Sequence, residues 1–257
     1  MLEPLNMALD LNQHRSPNWF NTDLGIRFQA TVATELVRIF PQTYFSIALD
    51  LGPGTVKYFQ HLDTGLGFRV NPTEHMDTRS AVIGDWEGLP LGRNSVDLVV
   101  LQHTLDFSID PRQVLREAIE VLSPEGWIVI CGFNPLGLWG LSRILFQSSG
   151  KMPWSARFLR PSRVQDWLTL LGAQVMGGSF FFYRPPVNSL RLLQKLNALE
   201  HVGHRWWPTF SGAYLIVGQK RQMAALPIRK SVPASRRQVT RAFQPMKTGP
   251  AAGSGVP

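Results

Sequence analysis

The sequence predicts an α/β protein, a mainly parallel sheet with helices on both faces. Three observations carry this. Short apolar runs alternate with helical periods along the chain. The first run ends in a Gly52-Pro53-Gly54 corner, as a buried strand does when it enters a tight turn. The last two strands follow one another with no long helix between them, which predicts an antiparallel hairpin at one edge.

The elements follow in order. From Asp23 to Phe40, the residues Leu24, Phe28, Val32, Leu36 and Ile39 share one helical face, with Thr22 or Asp23 as N-cap and Pro41 as the stop. Ser46 to Leu51 reads as a buried strand. The next apolar runs are Gly67 to Val70, Ala81 to Ile83, Leu98 to Leu101 and Trp127 to Cys131. Before the last of these lies a helix begun by Asp110-Pro111, with Val114, Leu115, Ala118, Val121 and Leu122 on its apolar face and Pro124-Glu125-Gly126 at its end. Leu138 to Phe146, Ser162 to Leu171 and Ser189 to Leu199 read as helices. Gln174 to Tyr183 and Gly212 to Gln219 read as strands, and no internal repeat is visible.

Composition narrows the classes. Of 257 residues, 44% are hydrophobic and 17% charged, which excludes a wholly disordered chain and a coiled coil. Cys131 is the single cysteine, so an intramolecular disulfide and a cysteine-based zinc knot are excluded. The N-terminal stretch alternates polar and apolar residues, unlike a secretory signal, and a soluble cytoplasmic protein is expected. The uncharged stretch from Gly126 to Ser142 is broken by Asn134-Pro135 and three glycines, and reads as a buried strand running into a helix. The net charge of +8 is segregated: residues 220–257 hold 8 Lys/Arg and no acid, and the rest sums to zero. That tail is rich in Pro, Gly, Ala and Ser and is expected to be disordered.

Two constellations can carry chemistry. In Leu49-Asp50-Leu51-Gly52-Pro53-Gly54-Thr55, a buried strand delivers a carboxylate and then a glycine turn that backbone can share with a ligand. A dinucleotide fingerprint would need glycine at position 57, where Lys57 stands, so NAD is a poor fit. In Ile83-Gly84-Asp85-Trp86, Asp85 is placed either to accept a hydrogen bond from an adenine amino group beside Trp86, or to cap a turn with Trp86 in the core.

The stretches ALDLGPGT (48–55), GDWEGLPLGRNSVDLVVLQHTLDF (84–107), DPRQVLREAIEVLSPEGWIVI (110–130) and GFNPLGLWGL (132–141) resemble, in order and spacing, the class I S-adenosylmethionine (SAM)-dependent methyltransferases, type 11 branch. The resemblance implies a Rossmann-like seven-stranded methyltransferase sheet of order 3-2-1-4-5-7-6, with SAM across the C-terminal strand ends. It implies that Asp50, Gly52, Pro53 and Gly54 line the methionine and ribose, with Asn71 at the ribose. Asp85 would meet the adenine amino group and Trp86 would flank its ring. Gln102 and His103 would face the reacting sulfur and the acceptor, with His103 either the candidate general base or a hydrogen-bonded histidine at a strand end. The methyltransferase domain would span 46–219, after a helical lead-in over 1–45, with 133–207 on the substrate side.

Two positions depart from the family pattern. The third glycine of the first motif is Val56, and the ribose-binding acid is replaced by Asn71, which weakens that contact by roughly 1–2 kcal/mol, unless a different strand register brings Glu74 there. The partner implied is a small or medium-sized acceptor. An alternative is a decayed binding module that holds RNA through the basic tail.

The remaining clusters are weaker. Phe180 to Tyr183 can line an aromatic pocket but is expected to alternate between core and surface. His201, His204, Trp206 and Trp207 are dense, yet two histidines with only Glu200 nearby do not make a metal site, and none is predicted. The apolar stretch from Leu136 to Phe146, near Arg143, Lys151, Arg157, Arg160 and Arg163, could face anionic headgroups; a helix packed under a basic cap is the favoured reading.

Overall fold

A computed structural model describes residues 19–54, 56–72, 81–146, 153–184, 186 and 210–221. The predicted helix Ser189–Leu199, the His201–Trp207 cluster and all of the tail after Arg221 lie outside them. Seven strands form one sheet: β1 (Tyr44–Leu51), β2 (Asp63–Asn71), β3 (Ala81–Ile83), β4 (Val96–Gln102), β5 (Leu122–Phe133), β6 (Ala173–Phe181) and β7 (Ala213–Lys220). Their order is β3-β2-β1-β4-β5-β7-β6. β7 runs antiparallel to both neighbours, and all other pairings are parallel. This is the seven-stranded order implied by the resemblance, with the late strands forming the antiparallel edge.

Among the described residues, five helices accompany the sheet: α1 (Asp23–Ile39), α2 (Thr104–Phe107), α3 (Pro111–Val121), α4 (Leu138–Phe146) and α5 (Pro161–Leu170), with one 3₁₀ turn at Tyr58–His61. Helix α1 starts at Thr22, whose hydroxyl accepts from the Gly25 N–H, and buries Leu24, Phe28, Val32 and Leu36. Helix α3 is capped by the Asp110 carboxylate, which accepts from the Arg112 and Gln113 N–H groups. Its predicted apolar face is buried throughout.

Strand β5 begins five residues earlier than its apolar run suggests. Leu122 pairs with Val96 and Trp127 with Leu98, and the Pro124-Glu125-Gly126 stretch between them interrupts the register rather than ending a helix. The Phe180–Tyr183 alternation also fails. Strand β6 stops at Phe181, Phe182 takes φ +62°, and Phe181, Phe182 and Tyr183 are all buried.

Candidate functional site

Strands β1 and β4 are neighbours, with Leu51 opposite Leu101, so their C-terminal ends bring Gly52-Pro53-Gly54 beside Gln102. Gly52 has φ +153°, and a Cβ there would overlap the Gln102 carbonyl oxygen. A Cβ on Gly54 would overlap the Gln102 side-chain amide. Only glycine leaves room for Gln102 over the corner.

The corner is held from below by an arginine. Asp50 and Arg69 are register partners on β1 and β2, and both are buried. The Arg69 guanidinium donates to Asp50 Oδ2 at 2.5 Å, to the Gly54 carbonyl at 2.5 Å and to the Val56 carbonyl. Asp50 Oδ2 also accepts from the Tyr58 N–H at 3.3 Å. From the other side Gln29 of α1 accepts from the Val56 N–H at 3.0 Å. Val56, in the third glycine's place, therefore sits in a loop tied at both its amide and its carbonyl. Burial raises the Asp50 carboxyl above its ordinary range, against the opposing pull of Arg69. Burial likewise pushes the Tyr58 phenol well up, with Cys131 and Asp50 adding to it.

Around this corner several buried polar atoms have no hydrogen-bond partner among the described residues: Gln102 Oε1 and Nε2, Asp50 Oδ1, Arg69 Nε and the Tyr58 hydroxyl. Native interiors leave few such groups, and each costs roughly 1–3 kcal/mol of desolvation. A donor and acceptor amide, a free carboxylate oxygen and a guanidinium N–H suit a ligand that carries an ammonium and a carboxylate together.

The other predicted residues divide. Asp85 is exposed at the end of β3, where its Oδ1 accepts from the Glu87 N–H at 3.0 Å. Trp86 is buried and its indole N–H donates to the Val70 carbonyl at 3.0 Å, so its ring is spent on the core. Asn71 is buried, in register with Ile83, and its carbonyl accepts from the Gly84 N–H.

His103 follows Gln102 directly but lies in a different setting. It takes φ +55°, a strained left-handed conformation for a non-glycine residue. Its ring is fully buried, stacked on Phe133 at 3.9 Å between centroids and flanked by Phe28 and Phe20. Nδ1 lies 2.8 Å from Asp106 Oδ2, which also accepts from the Phe133 N–H. With that oxygen acting as acceptor, the network assigns the proton to Nδ1 and leaves Nε2 facing Cys131 Sγ at 3.8 Å. Burial raises Asp106 above its ordinary value, opposed by His103, and pushes the Cys131 thiol well up.

Sequence reasoning passed over Arg69 and Asp106. Arg69 had a signal: a cation inside the apolar run Gly67–Val70 of a strand covered on both faces must find a partner. Asp106 had none beyond lying three residues after His103. Among the described residues no group of histidine, cysteine and carboxylates is arranged to hold a metal ion. No helix among them is long and apolar enough to cross a membrane.

Residues 33–130 match the family model Methyltransf_11, described as a methyltransferase domain. A SAM-dependent methyltransferase from Thermotoga maritima superposes with a TM-score of 0.61 at 18% identity, covering 84% of this chain and 100% of that one. A SAM-dependent methyltransferase from Archaeoglobus fulgidus gives 0.52 at 20%, covering 83% and 99%. The sheet thus has the fold of these solved SAM-dependent methyltransferases, residues 33–130 match the methyltransferase-domain model, and SAM is the cofactor this likeness implies.

Among individual proteins, the uncharacterised protein YafS of Escherichia coli is 40% identical over 97 residues, 38% of this chain and 40% of YafS. The uncharacterised protein Rv2003c of Mycobacterium tuberculosis is 25% identical over 178 residues, 65% of this chain and 60% of Rv2003c. The chain thus spans less than two thirds of either relative.

Proposed function

We propose that this chain is a SAM-dependent methyltransferase acting on a small or medium-sized acceptor. The observation that carries the reading is the set of unpartnered polar atoms gathered at the Gly52-Pro53-Gly54 corner. Asp50, Gly52, Pro53, Gly54 and Gln102 would hold the amino-acid end of the cofactor, and Asp85 its adenine amino group. Asn71 and Trp86 brace the β2 and β3 ends behind them. When bound, SAM supplies a methyl group already activated on a sulfonium.

The residues of the chain have mainly to align and enclose, and alignment of this kind can supply about 7–11 kcal/mol. Gln102 offers both a donor and an acceptor over the corner, and Arg69 keeps the loop carbonyls turned inward. His103 holds a proton on Nδ1 against Asp106, which leaves Nε2 as the basic atom of the ring. For that atom to take a proton from an acceptor, the cover of Phe20 and Phe28 must lift.

Titration calorimetry with SAM and its demethylated product tests the reading on the full chain. Binding at micromolar to low-millimolar concentration, with a raised melting temperature, is expected. No heat and no thermal shift at millimolar cofactor would overturn it.

A further inference from the structure

Helix α4 does not pack as a buried element should. Of its nine residues only Trp139 and Gly140 are buried. Leu138, Leu141, Ile144, Leu145 and Phe146 are exposed, together with Leu136 just before it; Ile144 and Leu145 are 66% and 70% exposed. The expected burial under a basic cap is therefore corrected: the apolar side faces outward. Its buried side is anchored by Trp139, whose indole N–H donates to the Arg184 carbonyl at 2.8 Å.

The sequence around this helix is cationic. From Gly126 to Gln165 the sequence holds Arg143, Lys151, Arg157, Arg160 and Arg163 and no acid. Arg143 lies over the Phe158 ring at 5.4 Å and donates to the Ala156 carbonyl, while Phe146 meets Trp154. The segment 153–160 is thus attached to α4, and its Arg157 and Arg160 are exposed, Arg157 donating to the Ile109 carbonyl at 3.2 Å.

We infer that this face docks on an anionic lipid bilayer surface. Exposed leucine, isoleucine and phenylalanine gain by entering the acyl boundary, and the flanking guanidinium groups gain by meeting negative headgroups. A second copy of the chain fits poorly. A two-fold interface would set this patch against itself, cation facing cation, with no carboxylate in the segment to compensate. RNA would satisfy the arginines and leave the aliphatic side chains unburied. The inference does not depend on methyl transfer.

The test is flotation of the full chain with vesicles of phosphatidylglycerol and phosphatidylcholine, or of phosphatidylcholine alone. The chain should rise with the anionic vesicles and stay behind with the neutral ones. Combining Leu141→Ser, Ile144→Ser and Leu145→Ser should cut the bound fraction by about tenfold or more. The melting temperature should hold, since all three side chains are exposed. A full-length variant with Arg229, Lys230, Arg236, Arg237, Arg241 and Lys247 changed to Gln should still float. Absence of flotation, indifference to the triple serine variant, or loss on changing the tail alone would each overturn the inference. So would a dimer in sedimentation that the serine variant dissociates while no vesicle binding is seen.

Discussion

Gln102 and His103 are consecutive, and they show two ways a buried polar side chain can be kept. The His103 ring is satisfied: one nitrogen meets Asp106, the other faces Cys131, and aromatic rings close around it. The Gln102 amide has neither of its atoms satisfied, and two glycines leave room for it. A satisfied group stabilises the fold as it stands. An unsatisfied one costs free energy that only a further partner can recover. Under the proposed function the ligand would lie where the Gln102 amide stands over the glycine corner.

The largest test of that contrast is Arg69→Met. It leaves the Asp50 carboxylate buried without its cation, and should cost about 3–5 kcal/mol in urea unfolding. Arg69→Lys keeps the charge but not the three-way bridge. It should fold, and lose protection of the amides in residues 54–57 in hydrogen exchange.

Asp106→Asn should cost about 1–3 kcal/mol, read by the same unfolding curves, with SAM affinity unchanged. It carries a pH signature as well. Burial raises Asp106, so the folded chain keeps its proton to higher pH than the unfolded one. The resulting stabilisation is complete below the ordinary aspartate value and is lost as pH rises through the folded value. The variant should flatten that decline. An unchanged profile would remove Asp106 from the account.

Gln102→Leu should act in the opposite sense. Removing two unpartnered polar atoms should leave stability equal or higher by about 1 kcal/mol, while calorimetric SAM affinity drops about tenfold. If both stability and affinity fall, the comparison fails. The smallest effect is on Cys131: sealed and with its thiol pushed up, it should resist iodoacetamide at mildly alkaline pH until the chain unfolds.

Much of the scaffold could be read beforehand because its signals are local. The α1 face is a periodicity within one helix, and the Asp110-Pro111 cap and the Gly52–Gly54 corner each lie at one helix or strand end. The β5 start and the burial of Tyr183 could not, since a register interruption and a left-handed Phe182 arise from pairing with distant strands. In the site, Asp50 and the glycines were legible from a motif. Arg69 signalled only that a buried cation needs a partner; that the partner is Asp50 depends on the pairing of β1 with β2. Trp86 offered two readings that only its bond to Val70 could separate. Helix α4 was the plainest miss: periodicity reports that a helix is apolar, not whether anything lies against it.

The Gly212 N–H donates to the Phe182 carbonyl at 2.9 Å, and Asn134 donates through Nδ2 to the Ser211 carbonyl and, at 3.2 Å, to its hydroxyl. Residues 182 and 212, at the ends of β6 and β7, are therefore joined by a hydrogen bond. Such a junction tolerates changes of length at little entropic penalty, which makes it a natural splice point. Homologous segments exchanged there could redirect selectivity while that bond and the strands beneath it stay as they are.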